Sequence, residues 1–94
     1  MSFIIRWTAE AEFTFDQIVQ YLENKWSERQ VEKFIRTVNK TLLKIPEFPQ
    51  MFERSSSNAN LRKGYIAKQC SIFYEIRNEV VVLLYFWDNR RKPI

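Results

Sequence analysis

The stretch that decides the fold is "SIFYEIRNEVVVLLYFWDNRRKPI", residues 71–94. Residues 80–87 are eight consecutive apolar residues rich in valine and aromatic side chains, which is typical of a strand buried on both faces. Just before this run, another strand is predicted, with Ile72, Tyr74 and Ile76 on one face and Phe73, Glu75 and Arg77 on the other. The end of the chain is therefore expected to supply the core of a sheet.

The two C-terminal strands are predicted to form an antiparallel hairpin, because Asn78 and Glu79 leave room for only a tight turn between them. Two further strands complete the predicted sheet. Residues 65–68 are predicted as the strand before them, since period-two alternation starts at Leu61. Short turns join these three strands into an antiparallel meander, and residues 3–7 form a fourth strand at the start of the chain.

Two helices fill the first half of the chain. Thr8 is a predicted N-cap, and apolar residues at three- and four-residue spacing carry the first helix to about Trp26. Ser27 and Gln30 form a capping-box pattern, so a second helix begins at once and ends at Pro46. The connection is short enough to predict an antiparallel helical hairpin.

These elements predict one α+β domain spanning residues 1–94, with the order β-α-α-β-β-β. We expect an antiparallel sheet with the helical hairpin packed on one face. Residues 46–60 are expected to be loop, because they contain prolines and a polar Ser/Asn run.

Composition limits the chemistry. The chain has no histidine and one cysteine, so a structural zinc site and a Ser-His-Asp or Cys-His nucleophile both lack their residues. No cofactor or metal is expected. The single cysteine and the absence of a long apolar run favour a cytoplasmic protein that does not enter a membrane.

Positive charge is concentrated in the second half. Residues 1–53 contain seven Lys/Arg and eight Asp/Glu, whereas residues 54–94 contain eight and three. The first half therefore carries a net charge of −1 (7 − 8) and the second half +5 (8 − 3), which gives +4 for the whole chain. This asymmetry predicts an acidic or polyanionic partner for the second half, with a solvated basic face as the alternative.

The segments "RWTAEAEFTFDQIVQYLENKW", "PEFPQMF" and "LRKGYIAKQCSIFYEIRNEVVVLLYFWDNRRKP" together resemble the RelE/ParE superfamily of bacterial toxins. The resemblance covers nearly the whole chain and implies the same β-α-α-β-β-β fold. It implies the toxin of a type II toxin–antitoxin (plasmid stabilisation) module. It also implies a cognate antitoxin whose disordered, often acidic segment wraps the toxin in a hetero-oligomer.

The superfamily divides by activity. RelE-like members are ribosome-dependent endoribonucleases that cut mRNA by attack of a ribose 2′-hydroxyl on its phosphate, and this needs basic groups and an acid. ParE-like members poison DNA gyrase. Ser71 stands where RelE-like members have an arginine, and the terminal Tyr or His of that group is absent. These departures favour the ParE-like activity, with a RelE-like enzyme or a degenerate, antitoxin-binding toxin as alternatives.

The resemblance also implies site residues. A RelE-like mechanism would use basic and tyrosine side chains without metal, and the candidates are Arg62, Lys63, Tyr65, Lys68 and Arg90. The cations expected to bind the target or the antitoxin are Arg62, Lys68, Arg77, Arg90, Arg91 and Lys92. The cations of the first meander strand and those after residue 88 are expected to form one basic surface.

Other residues have structural interpretations. Tyr74 is expected in the core and Tyr65 at the surface, where it is placed to stack on a base. Cys70 is expected to be half-buried without a reactive role. The three tryptophans are expected to be packing anchors.

Overall fold

A computed structural model describes residues 3–90, and it has the predicted order of elements. The strands are β1 (Ile4–Trp7), β2 (Arg62–Ala67), β3 (Cys70–Arg77) and β4 (Val80–Asp88), and the helices are α1 (Ala9–Lys25) and α2 (Glu28–Lys44). No helix of this part of the chain is both long and apolar enough to cross a membrane.

Local signals account for the helix boundaries. The Thr8 side chain accepts a hydrogen bond from the backbone N–H of Ala11 at 3.1 Å and begins α1. Ser27 and Gln30 form both halves of a capping box at the start of α2. Phe15 of α1 stacks on Phe34 of α2 with ring centroids 6.3 Å apart, so the two helices form the expected hairpin.

The four strands form one sheet in the order β1-β4-β3-β2. β4 is thus an inner strand, as predicted, and β2, β3 and β4 form the predicted antiparallel meander. The sheet as a whole is mixed, because β1 pairs with β4 in parallel. A parallel pair needs a long crossover connection, and the helical hairpin with β2 and β3 supplies one.

The β2 strand begins three residues earlier than expected. The predicted strand covered residues 65–68, whereas β2 is Arg62–Ala67 and Lys68 lies in the turn that follows. The loop before β2 extends the pairing, since Arg54 bridges Arg62 and the Lys63 N–H donates to the carbonyl of Glu53. Sequence alternation alone does not reveal this extra backbone pairing.

The core lies between the helical hairpin and one face of the sheet. Its buried side chains include Ile18, Leu22, Val38, Ile72, Tyr74, Val81, Leu83 and Phe86. Trp7 packs against Phe15 and Phe86, and Trp26 packs against Phe34, so these two tryptophans are packing anchors as expected.

A β-bulge interrupts β4. Phe73 lies opposite Tyr85, but Tyr74 lies opposite Leu83, so Leu84 is an additional residue on β4. Before the bulge Leu83 faces the helices, and after it Phe86 does. Because side chains alternate between the two faces, one extra residue is what brings Phe86 to the core side.

Two threonines stabilise the bulge. The Thr8 hydroxyl lies 2.8 Å from the carbonyl oxygen of Leu83 and 3.0 Å from that of Leu84. The Thr14 hydroxyl accepts a hydrogen bond from the N–H of Phe86 at 2.9 Å. These contacts join the start of α1 to the part of β4 that extends beyond β1, where buried backbone groups need partners.

Candidate functional site

Arg90 is held firmly just past the end of β4. Its guanidinium forms a two-point ion pair with Asp88, with Nε 2.7 Å from Oδ1 and Nη2 on Oδ2. The backbone N–H of Arg90 donates to the same carboxylate at 3.0 Å. The hydrogen-bonded Asp88 carboxylate raises the pKa of Arg90 above its ordinary value. Arg90 therefore carries a permanent charge that Asp88 largely balances.

The same guanidinium packs on α1. Its central carbon lies 3.7 Å from the centroid of the Tyr21 ring, a cation–π distance. Lys25 reaches the same ring from one turn further along α1, with Nζ 5.8 Å from the centroid. Tyr21 thus joins the end of the last strand to the end of the first helix. The other two cations of the predicted cluster, Arg91 and Lys92, lie outside the described residues.

The cations of β2 are on opposite faces of the sheet. Arg62 lies opposite Tyr74, and its Nη1 donates to the carbonyl of Phe52 at 2.8 Å, so it is tied to the loop. Lys63 lies opposite Phe73 on the other face, with its ammonium 5.7 Å from the Phe73 ring centroid. Alternation along the strand separates these two side chains, although they are adjacent in sequence.

The prediction that these cations form one continuous basic surface is therefore wrong for the described residues. β3 lies between β2 and β4, and Arg62 is on the face opposite Lys63. Lys68 lies in the β2–β3 turn, beside the end of β4 that carries Arg90, so these two are at the same end of the sheet. Arg77 lies at the other end, opposite Val80, and forms an ion pair with Glu75.

Tyr65 is exposed, as expected. It retains 64% of its surface and lies opposite Ser71, on the face of the sheet that the helices leave uncovered. Its proposed role in stacking on a base stays a prediction.

Ser71 is fully buried at the position where RelE-like members have an arginine. Its hydroxyl donates to the side-chain oxygen of Asn89 at 2.9 Å. Asn89 in turn donates from its side chain to the carbonyl of Ala67 and from its backbone to that of Gln69. Asn89 was not singled out from the sequence, and a lone polar residue after a strand gives little signal for such a role.

Two residues of β3 are structural. Tyr74 is fully buried, and its hydroxyl donates to the carbonyl of Pro49 at 2.8 Å, so the expected core position is confirmed. Cys70 was expected to be half-buried but is fully buried at the first residue of β3. Burial, with a smaller contribution from the Asp88 carboxylate, raises the pKa of the Cys70 thiol to about 12. Its thiolate is therefore scarce, and reactive chemistry at Cys70 is disfavoured.

Comparison with known proteins identifies the family. Residues 5–93 match the family described as the ParE toxin of the type II toxin–antitoxin system parDE. A search of curated protein sequences gives no significant match.

Two solved structures share the fold. The chromosomal ParDE toxin–antitoxin system from P. aeruginosa superposes with a TM-score of 0.79 at 13% identity, over 93% of this chain and 96% of that one. A copper-bound mutant toxin from Helicobacter pylori gives a TM-score of 0.64 at 14% identity, over 94% and 96%. With the family match over almost its whole length, this chain belongs to the ParE toxin family of type II toxin–antitoxin systems.

Proposed function

We propose that this toxin stops bacterial growth by acting on DNA gyrase, as the resemblance to ParE-like members implies. The proposal is supported by the contacts of the side chains at the RelE-like positions, which are bonded to other groups of the same fold. Ser71 is buried and bonded to Asn89, Arg62 is tied to the Phe52 carbonyl, and Arg90 is paired with Asp88. An endoribonuclease needs such groups free to stabilise a phosphorane.

Charge neutralisation adds to this argument. A cation that stabilises developing negative charge contributes about 2.7–4 kcal/mol to a transition state when it points at the reacting group. Arg90 instead meets a carboxylate and an aromatic ring within its own fold. Its surroundings favour a structural role over phosphate contact, and this supports the gyrase-directed activity over RNA cleavage.

The partner that restrains the toxin is proposed to be a cognate antitoxin. The relative from P. aeruginosa is a ParDE toxin–antitoxin system, and the family match extends over residues 5–93. A disordered antitoxin segment that folds on the toxin would bury a large surface and would be easily removed by proteolysis. Toxin and antitoxin would form a hetero-oligomer in the cytoplasm.

The test is expression from a repressed promoter without antitoxin, together with a supercoiling assay on purified gyrase. We expect growth arrest, a rise in a DNA-damage reporter, and inhibition of gyrase in vitro. Arrest with a flat reporter and new cuts in ribosome-bound mRNA would instead establish the RelE-like activity. No arrest at all would leave the degenerate, antitoxin-binding toxin.

The contribution of the C-terminal cations needs variants that spare the Arg90–Asp88 pair. Charge reversal at Arg91 and Lys92 leaves both residues of that pair unchanged in the sequence, and we expect it to abolish gyrase inhibition while the protein stays folded. The matched control is charge reversal at Arg29 and Arg36, two exposed cations of α2. Equal inhibition by both double variants would show that the C-terminal cations are not used.

A further inference from the structure

Helix α2 carries all of its positive charge on one face. Its five cations recur at spacings of three and four residues and are Arg29, Lys33, Arg36, Lys40 and Lys44. At about 100° per residue, these positions fall within an arc of about 80° on the helix surface. All five residues are exposed, and together they form the α2 stripe.

The α2 stripe faces away from the core. The buried residues of α2 are Val31, Phe34, Val38 and Leu42. On the same helical projection, their mean direction is about 165° from the middle of the stripe. The two acids of α2, Glu28 and Glu32, lie to one side of the stripe, and Gln30 and Thr37 lie to the other. The cations therefore occupy the centre of the surface that α2 presents to solvent.

The two helices carry opposite net charges. α1 contains one cation and four acids, a net charge of −3 (1 − 4), whereas α2 contains five cations and two acids, a net charge of +3 (5 − 2). The nearly neutral first half of the sequence is thus divided between an acidic helix and a basic helix. A count over half of the chain conceals this division, so the α2 stripe was not singled out from the sequence.

The cations of the α2 stripe have no neutralising ion pair among residues 3–90. The ion pairs of this part of the chain join Arg77 to Glu75 and Arg90 to Asp88. Like-charged side chains three and four residues apart destabilise a helix. The stripe is therefore unfavourable in the free toxin, and an anionic partner would relieve the repulsion between its members.

The length and charge of the α2 stripe fit a nucleic-acid duplex. From Arg29 to Lys44 the stripe extends roughly 22 Å along the helix axis, at about 1.5 Å per residue. Duplex DNA carries one negative charge per about 1.7 Å of its axis, so about 13 phosphates lie along that length. A row of Lys and Arg side chains on one helix face is the usual electrostatic footprint of nucleic-acid binding.

Other anionic partners fit the stripe less well. The apolar side of α2 is packed in the core, so it cannot insert among lipid chains as a membrane-surface helix does. Protein interfaces usually contain aromatic or apolar anchors, and Leu43 is the only large apolar residue exposed along α2. A single nucleic-acid strand is usually held by aromatic side chains that stack on its bases, and the stripe contains none. These features favour a duplex.

We propose that the α2 stripe binds double-stranded DNA through its phosphate groups, without reading the base sequence. The choice of DNA over duplex RNA rests on the proposed action on gyrase, which works on DNA. Phosphate contacts position a protein on a duplex but carry no sequence information. The stripe holds the toxin on the DNA where its target acts, and the inhibitory contact remains assigned to the C-terminal cations.

The test measures the affinity of the purified toxin for a fluorescent DNA duplex of about 30 base pairs, by anisotropy from about 50 to about 200 mM salt. Lys33→Gln with Lys40→Gln removes two cations from the middle of the stripe. The matched control is Arg6→Gln with Arg54→Gln, which removes two exposed cations from other elements. The slope of log K against log salt should become shallower by about 1.8 in the stripe variant, since each phosphate contact contributes about 0.9. The control should change the slope by less than about 0.3, and only the stripe variant should lose at least about tenfold in affinity at the lowest salt.

Several outcomes would overturn the proposal. Equal affinity and slope for the wild type and the stripe variant would make the stripe a solvated basic face. Equal losses in the stripe variant and its control would be an effect of net charge alone. Tighter binding to an RNA duplex of the same length, or to phosphatidylglycerol vesicles, would assign the stripe to another partner. Thermal unfolding checks the fold, and the stripe variant should be at least as stable as the wild type because it relieves repulsion within α2. If the double variant does not fold, Lys40→Gln alone decides, with an expected slope change of about 0.9.

The binding assay contains no gyrase, so it separates this proposal from the proposed target. A toxin that binds DNA through the stripe but leaves gyrase active would support the stripe and contradict only the target. A toxin that inhibits gyrase but does not bind the duplex would overturn only the stripe. Arg29 and Arg36 belong to the stripe, so their use as a control for inhibition requires toxin in excess over gyrase, where weaker DNA binding does not limit inhibition.

Discussion

The guanidinium of Arg90 lies 3.7 Å from the ring centroid of Tyr21, and this contact joins the end of the last strand to the last turns of the first helix. Asp88 holds the same guanidinium from the strand side. An arginine that the sequence suggests for target binding is thus part of a three-residue contact within the fold.

The Arg90–Tyr21 contact is expected to stabilise the fold measurably. A double-mutant cycle with Arg90→Ala and Tyr21→Leu should give a coupling free energy of about 0.5–1 kcal/mol, typical of a cation–π pair at a surface. The measurement is urea unfolding of the four proteins. The same cycle with Lys25→Ala should give a smaller coupling, since Lys25 lies 5.8 Å from the ring. Additive single effects for Arg90 and Tyr21 would show that the contact contributes nothing.

Thr14 should contribute more to stability than a surface threonine. Thr14→Val removes the acceptor of the Phe86 N–H, and leaving a buried donor unpaired costs about 1–3 kcal/mol. Thr37→Val is the matched control. Both hydroxyls donate to the carbonyl four residues earlier, but Thr37 is exposed on α2. Chemical denaturation should show a loss below about 0.5 kcal/mol for Thr37→Val, and equal losses would contradict the role of the bulge contact.

Much of the fold could be predicted because its signals are local. Ser27 and Gln30 are the residues of a capping box, and the long apolar run from residue 80 predicts that β4 lies inside the sheet. The helix boundaries and the order of elements follow from such patterns. Each of these patterns involves residues that are only a few positions apart in the sequence.

The features that the sequence did not predict depend on contacts between distant segments. The bulge at Leu84 is stabilised by Thr8 and Thr14, which precede it by about seventy residues. The pairing of Arg90 with Asp88 is local, but Tyr21 is remote in sequence, so the contact that Arg90 makes within the fold could not be predicted. Charge composition indicates how many cations are present, and it does not indicate which of them already have partners.

Placing an arginine at the RelE-like position should not create an endoribonuclease. Ser71 is fully buried against Asn89, so Ser71→Arg overfills the site and should cost at least about 1–3 kcal/mol. Ser57→Arg, in the exposed part of the loop before β2, should change stability by less than about 0.5 kcal/mol. Thermal unfolding and an RNA-cleavage assay check both parts. A stable Ser71→Arg variant that cuts RNA would overturn our assignment of this position.

Gly64 is required by the packing of the Phe52 ring against β2. A Cβ at this position would lie 2.6 Å from the ring of Phe52, which is closer than such atoms approach. Gly64→Ala should therefore destabilise the protein by about 1–3 kcal/mol. In a Phe52→Leu background the same change should cost less, because the ring is gone. Urea unfolding of the four proteins tests this, and an equal cost in both backgrounds would place the strain elsewhere.

Cys70 gives a prediction about pH. Its pKa is about 12 in the folded protein against an ordinary value of 9.0, so the folded state keeps the proton that the unfolded state releases. The stability that results is fully present below pH 9.0 and is lost as the pH rises toward about 12. The loss should approach roughly 1.4 kcal/mol for each pH unit in this window. Unfolding measured across the alkaline range should therefore be less steeply pH-dependent in Cys70→Ala than in the wild type.

The tyrosines and the accessibility of the thiol provide the controls. Burial also raises the pKa of Tyr74 and Tyr85, so Cys70→Ala should keep part of the alkaline loss. A thiol reagent at about pH 8 should react with Cys70 only after urea unfolds the protein, because the folded thiol is buried and protonated. Rapid labelling of the folded protein, or identical alkaline profiles for wild type and Cys70→Ala, would contradict the raised pKa of this thiol.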